Sequence, residues 1–172
     1  PHELRNLADD LEFAPVKERL SGALREWILD IRDTGFLPEG EMMRRGAHDS
    51  VYDMARDPNK FDLEAILAAA ETSSRPETTL AELARLAQSR ESGVRYWAAC
   101  GLLGMADADR EALELLEALM ADEHPSVATV AAEAVLKFQP ERKDALQRLV
   151  DITSDYLESE PSIALRSARA LA

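Results

Sequence analysis

The chain has 172 residues, 46% of them apolar and 31% charged, with a formal net charge of −13, which gives one ordinary domain with room for a core. Few aromatics, seven Gly and abundant Ala and Leu speak against a sheet, and no apolar run reaches the roughly 18–20 residues of a membrane span. Each third of the chain is net acidic, so the positive stripe that a nucleic-acid binder needs is missing, and the single Cys100 excludes an internal disulfide or an all-cysteine zinc site.

Residues 1–13 (PHELRNLADDLEF) read as a loop entering a helix. The spacing predicts an amphipathic helix from Ala14 to Asp33, with Pro15 in its first turn, where the missing N–H costs nothing. Its apolar face is Val16, Leu20, Ala23, Leu24, Trp27, Ile28 and Ile31, and Thr34-Gly35 is expected to end it. Glu39 to Arg45 reads as a short helix carrying Met42 and Met43 and stopped by Gly46. Asp49-Ser50 can cap a further helix with Val51, Met54 and Ala55 inward, ended by Asp57-Pro58. Asp62 then caps a helix from Leu63 with Leu63, Ile66, Leu67 and Ala70 buried. The segments 50–56 and 62–73 are expected to form a degenerate, capping helix pair.

From residue 78 the chain becomes regular. Val94, Trp97, Ala98, Gly101, Leu102 and Met105 fall on one face of a 3.6-period helix. The same pattern returns 33 residues later as Val127, Val130, Ala131, Ala134, Val135 and Phe138. Upstream, Leu80, Leu83, Leu86 and Ala87 return as Leu113, Leu116, Leu119 and Met120, then as Leu146, Leu149, Ile152 and Thr153. A fixed period across helical pairs predicts an all-α solenoid of antiparallel pairs over 78–106, 108–138 and 141–172, preceded by the long amphipathic helix. In the third pair Arg166 and Ser167 stand where Trp97 and Ala98 stand in the first, so looser packing is expected there.

A tetratricopeptide repeat would carry a bulky aromatic and Gly early in the first helix of each pair, and helices 78–88 and 108–121 have neither. The turn Asp122-Glu123-His124-Pro125 and the opening Val94-Arg95, followed by Ala-Ala, resemble the short bacterial HEAT repeat over about residues 78–172, although Arg95 is not repeated at Ala128 or Ala164. That resemblance implies a binding or scaffolding role.

Few residues suggest chemistry. His2, His48 and His124 are isolated, with no His or Cys at ligand spacing. His48, Asp49 and Asp53 read as a solvated, capped helix start, and Asp107, Asp109, Glu111, Glu114 and Glu117 as acids that complement a helix dipole. Cys100 reads as a packed thiol beside the apolar stripe. There is no phosphate loop or Gly-x-Ser-x-Gly elbow. The candidate interaction residues are Arg95 and Tyr96, next to the stripe, and Leu165, among the apolar positions that face more than one way on the last helix.

The opening PHELRNLADD, followed by LEFAPVKERLSGALREWILD, resembles the C-terminal end of sulfatases of the alkaline-phosphatase-like superfamily. In those enzymes an Asp-Pro-x-Glu-x-x-Asn-Leu-Ala segment leads into the long helix of a small C-terminal subdomain. Pro1, Glu3, Asn6, Leu7 and Ala8 occupy those positions, and WILDIRDTGFLPEGEMMRRG is similar to a bacterial sulfatase tail of the kind that carries added HEAT repeats. The resemblance covers residues 1–46, leaving 47–77 as a connector and 78–172 as the repeats.

What the resemblance implies is a parent enzyme that hydrolyses sulfate esters or sulfamates. Its nucleophile would be a formylglycine made within Cys/Ser-x-Pro-x-Arg, beside a divalent cation, usually calcium. It also implies a periplasmic or secreted location and an upstream sulfatase catalytic domain as partner. Ser74-Arg75-Pro76-Glu77-Thr78 and Ser159-Glu160-Pro161-Ser162-Ile163 share the Ser-x-Pro spacing but lack the final Arg, so no catalytic, cofactor or metal residue carries over. Both chain ends read as cut from something larger, and a homo-oligomer or protein partner is expected to cover the last helix. The purified chain should therefore neither hydrolyse an aryl sulfate nor bind stoichiometric calcium. Turnover that survives purification, or a calcium titration with a defined stoichiometry, would contradict this.

Overall fold

The helix starts of this chain are fixed by short polar side chains and prolines, and the computed structural model, which describes residues 6–171, has helices at almost every expected start. All regular structure among the described residues is helical: α1 (Ala14–Ile31), α2 (Glu39–Arg45), α3 (Val51–Arg56), α4 (Leu63–Ser73), α5 (Leu80–Ala87), α6 (Ser92–Gly104), α7 (Arg110–Met120), α8 (Pro125–Phe138), α9 (Lys143–Tyr156) and α10 (Pro161–Ala170). Ser50 accepts the Asp53 N–H, Asp62 the Ala65 N–H and Asp109 the Ala112 N–H, while Thr79 and Glu82 form a reciprocal capping box. Pro15, Pro125 and Pro161 sit in first turns, where no N–H is needed.

The chain divides after Asp33 into two compact units. In the first, Asp10 accepts the Glu12 N–H to start a 3-10 turn that runs into α1, and Asn6 accepts the Ala8 N–H in a local turn. The expected end of α1 at Thr34-Gly35 is not where it stops. Arg32 takes the left-handed conformation (φ 58°) and turns its N–H back to Ile28 and Leu29. Along α1, Val16, Leu20, Leu24, Trp27 and Ile31 form one exposed apolar stripe, and Ile28 is buried. Pro1 and Glu3 of the sulfatase-like segment, like His2 and Ala172, lie outside the described residues.

In the second unit α5 packs on α6, α7 on α8 and α9 on α10, while α4, α6, α8 and α10 stack one on the next. Helix α4 thus stacks ahead of the first regular pair, while α3 packs against α2. Helix α8 is central, and its first eight residues are all buried. Ala128, Ala131, Ala132 and Ala134 let its neighbours approach, and Val127, Val130 and Val135 fill the space between them. At Gly101, the counterpart of Ala134, an added Cβ would sit 2.5 Å from Leu83 Cδ2, so only the first pair needs a glycine there. Loop ends are tied by cations: Lys137 donates to the Leu103 and Met105 carbonyls at the end of α6, and Arg148 to those of Met120 and Asp122 after α7.

One element of the apolar stripe behaves differently. Trp97 is half-buried rather than enclosed between pairs, because its indole N–H reaches the Phe36 carbonyl at 2.9 Å and its ring meets Phe36. Leu102 is fully buried. Leu102→Ala should therefore cost about 2–5 kcal/mol in a denaturant melt. Arg90→Ala, in an exposed turn, should cost under about 0.5 kcal/mol. Equal effects would show that the helical phase of α6 is wrong.

Candidate functional site

The polar groups of the second unit converge where residues 34–46 cross the N-terminal ends of α6, α8 and α10. Leu37 is buried, and an added Cβ on Gly93 at the start of α6 would meet its Cδ2 at 2.9 Å. Gly40 lies so close to α10 that a Cβ would fall 2.3 Å from Ile163 Cγ1. Between these two contacts Glu41 is left only 3% exposed.

A buried carboxylate must be matched by donors and charge, and here each comes from a different element. Ser92, in the first turn of α6, donates its hydroxyl to Glu41 Oε1 at 2.7 Å. Arg45, one turn along α2, donates Nε to the same oxygen at 2.9 Å and its Nη2 to Ser92 Oγ at 2.7 Å. His124, just ahead of α8, approaches Glu41 Oε2 through Nδ1 at 3.1 Å. Arg45 also pairs with Glu91 and donates to the Lys60 carbonyl at 2.8 Å. Arg44 reaches both oxygens of Glu160, ahead of α10, at 3.2 Å. One seven-residue helix is thus bonded to the starts of three successive second helices. Burial alone would raise the Glu41 carboxyl. The Ser92 and Arg45 hydrogen bonds, with the charges of Arg45 and His124, outweigh burial and hold it below the ordinary value of 4.5.

The residues singled out from sequence have other surroundings. Arg95 is committed to Asp122, Nε to Oδ2 at 2.6 Å and Nη2 to Oδ1 at 2.9 Å, and Asp122 also accepts the His124 N–H. It fastens the loop before α8 instead of standing open. Tyr96 is half-buried; burial, then the Cys100 thiol bonded to it, raise its hydroxyl. Burial pushes the Cys100 thiol itself up to about 11, against a smaller opposing effect of the Tyr96 hydrogen bond, so it is a packed thiol. Leu165 is exposed. Asp49 pairs with Lys60, and Asp53 accepts from Ser50. Among the described residues no group of three or more His, Cys, Asp or Glu is arranged to hold a metal, and no helix is long and apolar enough to cross a membrane.

Glu41, Arg45 and Ser92 are not among the residues that stand out in the sequence, where the segment 39–45 is marked only by Met42 and Met43. The buried side of α2 is Gly40 and Glu41, and Met43 is exposed. The available signal was the four-residue spacing of Glu41 and Arg45 behind a glycine. Neither a family model, nor a curated protein, nor a solved structure matches the chain.

Because the folded Glu41 carboxyl is lowered, its stabilisation is complete above the unfolded value of 4.5 and is lost as pH falls through the folded one. Glu41→Gln should cost about 1–3 kcal/mol at pH 7. It should also flatten the loss of thermal stability between pH 5 and the acid limit. A variant whose acid limb is as steep as that of the parent would show that Glu41 is not the group responsible.

Proposed function

We propose that this chain is a non-catalytic helical-repeat module that holds a partner, and that it is the C-terminal accessory region of a sulfatase. The observation that carries the first half is the recurrence of one buried position, Val94, Val127 and Ile163, at the start of three stacked second helices. Stacked pairs of this kind bury their inner faces against one another and leave a row of loops and helix ends for partners. The HEAT-like turn before α8 fits such an array. The sulfatase half rests on the resemblance of residues 1–46 and on the character of α1. Its complete apolar stripe, exposed at Val16, Leu20, Leu24, Trp27 and Ile31, suits a helix that closes a neighbouring domain.

On this reading, sulfate-ester or sulfamate hydrolysis, the formylglycine and calcium belong to the upstream catalytic domain, and the location is periplasmic or secreted. The second reading is a stand-alone scaffold for a peptide or protein, favoured by the bonding of the second unit through its own residues 34–46. Sequencing the reading frame upstream of Pro1 separates the two. A Cys/Ser-x-Pro-x-Arg signature several hundred residues earlier is the expected result, and a start codon directly before Pro1 contradicts it.

The last pair also supplies a surface for self-association. Leu146 and Val150 on α9 and Leu165 on α10 are exposed, Leu165 at 56%. Leu165→Glu should shift the chain towards monomer in sedimentation, whereas the same change at Ser89 should not. A parent chain that is monomeric at high concentration would rule out this surface as the dimer contact.

A further inference from the structure

A cavity of about 200 Å³ opens between the first turns of α8 and α10, beside the start of α2 and apart from the Glu41 cluster. Its polar lining is Glu39, Tyr96, Ser126, Thr129, Ser162 and Arg166, and Gly40 and Ile163 supply an apolar floor. An apolar cavity of roughly 150 Å³ already takes up benzene, so this one has room for a six-membered ring.

Thr129 is the anomaly. It is only 1% exposed, and its hydroxyl has no hydrogen-bond partner. A helical Thr in such a position usually bonds the carbonyl one turn back, as Thr153 does to Leu149 at 2.8 Å. The counterparts of Thr129 in the neighbouring pairs are Tyr96 and Leu165, so the repeat itself does not require a hydroxyl there. A buried polar group left unmatched costs stability unless something outside the chain meets it.

The surrounding groups define what that is. Neither α8 nor α10 has a side-chain cap; Val127, Ala128, Ile163 and Ala164 turn their N–H groups back to the His124 and Glu160 carbonyls, and Pro125 and Pro161 have none, which leaves the Ser126 and Ser162 N–H groups as first-turn donors. These ends alone would favour an anion, but the local charge does not. Arg166, the cation in the lining, is neutralised by Glu133 at 2.5 Å, in an ion pair without hydrogen-bond alignment. Glu39 adds a carboxylate to the lining, on a chain of net charge −13. What remains is a set of hydroxyls that both donate and accept, a tyrosine ring and an apolar floor.

We propose that this cavity binds a small neutral polyhydroxylated molecule of polyol or monosaccharide size, with Thr129 Oγ1 among its hydrogen-bond partners. The inference makes no use of the sulfatase resemblance and stands whichever parent the chain has.

The test is a ¹⁵N–¹H titration of the intact chain with glycerol, myo-inositol, glucose, galactose and N-acetylglucosamine, and with inorganic phosphate and sulfate as controls. At least one neutral compound should give saturable shifts at Gly40, Tyr96, Ser126, Thr129 and Ser162. Thr129→Val should weaken that binding at least tenfold while leaving Tm unchanged or higher, because it removes only an unmatched hydroxyl. Ser162→Ala, at the half-exposed second residue of α10, should weaken binding in the same sense. Four results would each overturn the proposal: no response to any neutral compound, a response at these residues to phosphate or sulfate alone, undiminished binding by Thr129→Val, or a lower Tm for Thr129→Val.

Discussion

A carboxylate taken out of water has to be answered by donors and by charge, and in this protein the answer to Glu41 comes from Ser92, Arg45 and His124. These groups sit on α2, at the start of α6 and ahead of α8. The nearby Arg44–Glu160 pair extends the same network to α10. Removing water from one side chain thereby ties α2 to the starts of α6 and α8, beside the Arg95–Asp122 pair and the Lys137 bonds that also join α6 to α8. Apolar packing is tolerant of small sliding motions; hydrogen bonds to a buried charge are not.

The same crossing of α2 borders an open space. Helix α2 approaches α10 closely enough to require a glycine at position 40, because Ile163 occupies the place of a Cβ. Beside that contact, at the first turns of α8 and α10, the fit is looser and a cavity remains, floored by Gly40 and Ile163. Thr129 is buried at its edge without a partner. Tight packing and an unmatched hydroxyl thus lie within a few residues of each other on the same face. A preformed pocket with a few placed polar groups is the usual form of a small-molecule site.

Much of this fold was legible in the chain. The caps Ser50, Asp62 and Asp109, the first-turn prolines and the stop at Gly46 are local signals, settled by backbone geometry within a few residues. The 33-residue recurrence gave the helix pairs, because burial on one helical face leaves a periodic record. Periodicity carries no information about a segment that crosses the ends of helices, so the path of residues 34–46 was hidden. The helix over 39–45 was marked in the sequence only by Met42 and Met43, whereas its buried group is Glu41, two of whose partners lie 51 and 83 residues away. Trp97 falls on the apolar stripe, yet its N–H needed an acceptor and found one on the loop at Phe36. Arg95 looked open for the same reason in reverse, since the loop aspartate that engages it is remote in sequence.

The central claim is that α2 holds the starts of α6, α8 and α10 as one body. Amide hydrogen exchange on Gly40→Ala tests it, because the added methyl presses on Ile163 at the α10 end while the readout is taken at the α6 end. If the account is right, protection falls at Ile163 and Ala164 and also at Val94 and Arg95, where no atom has been changed. Loss of protection confined to α2 and the first turn of α10 would mean that the helix starts move independently, and would contradict it.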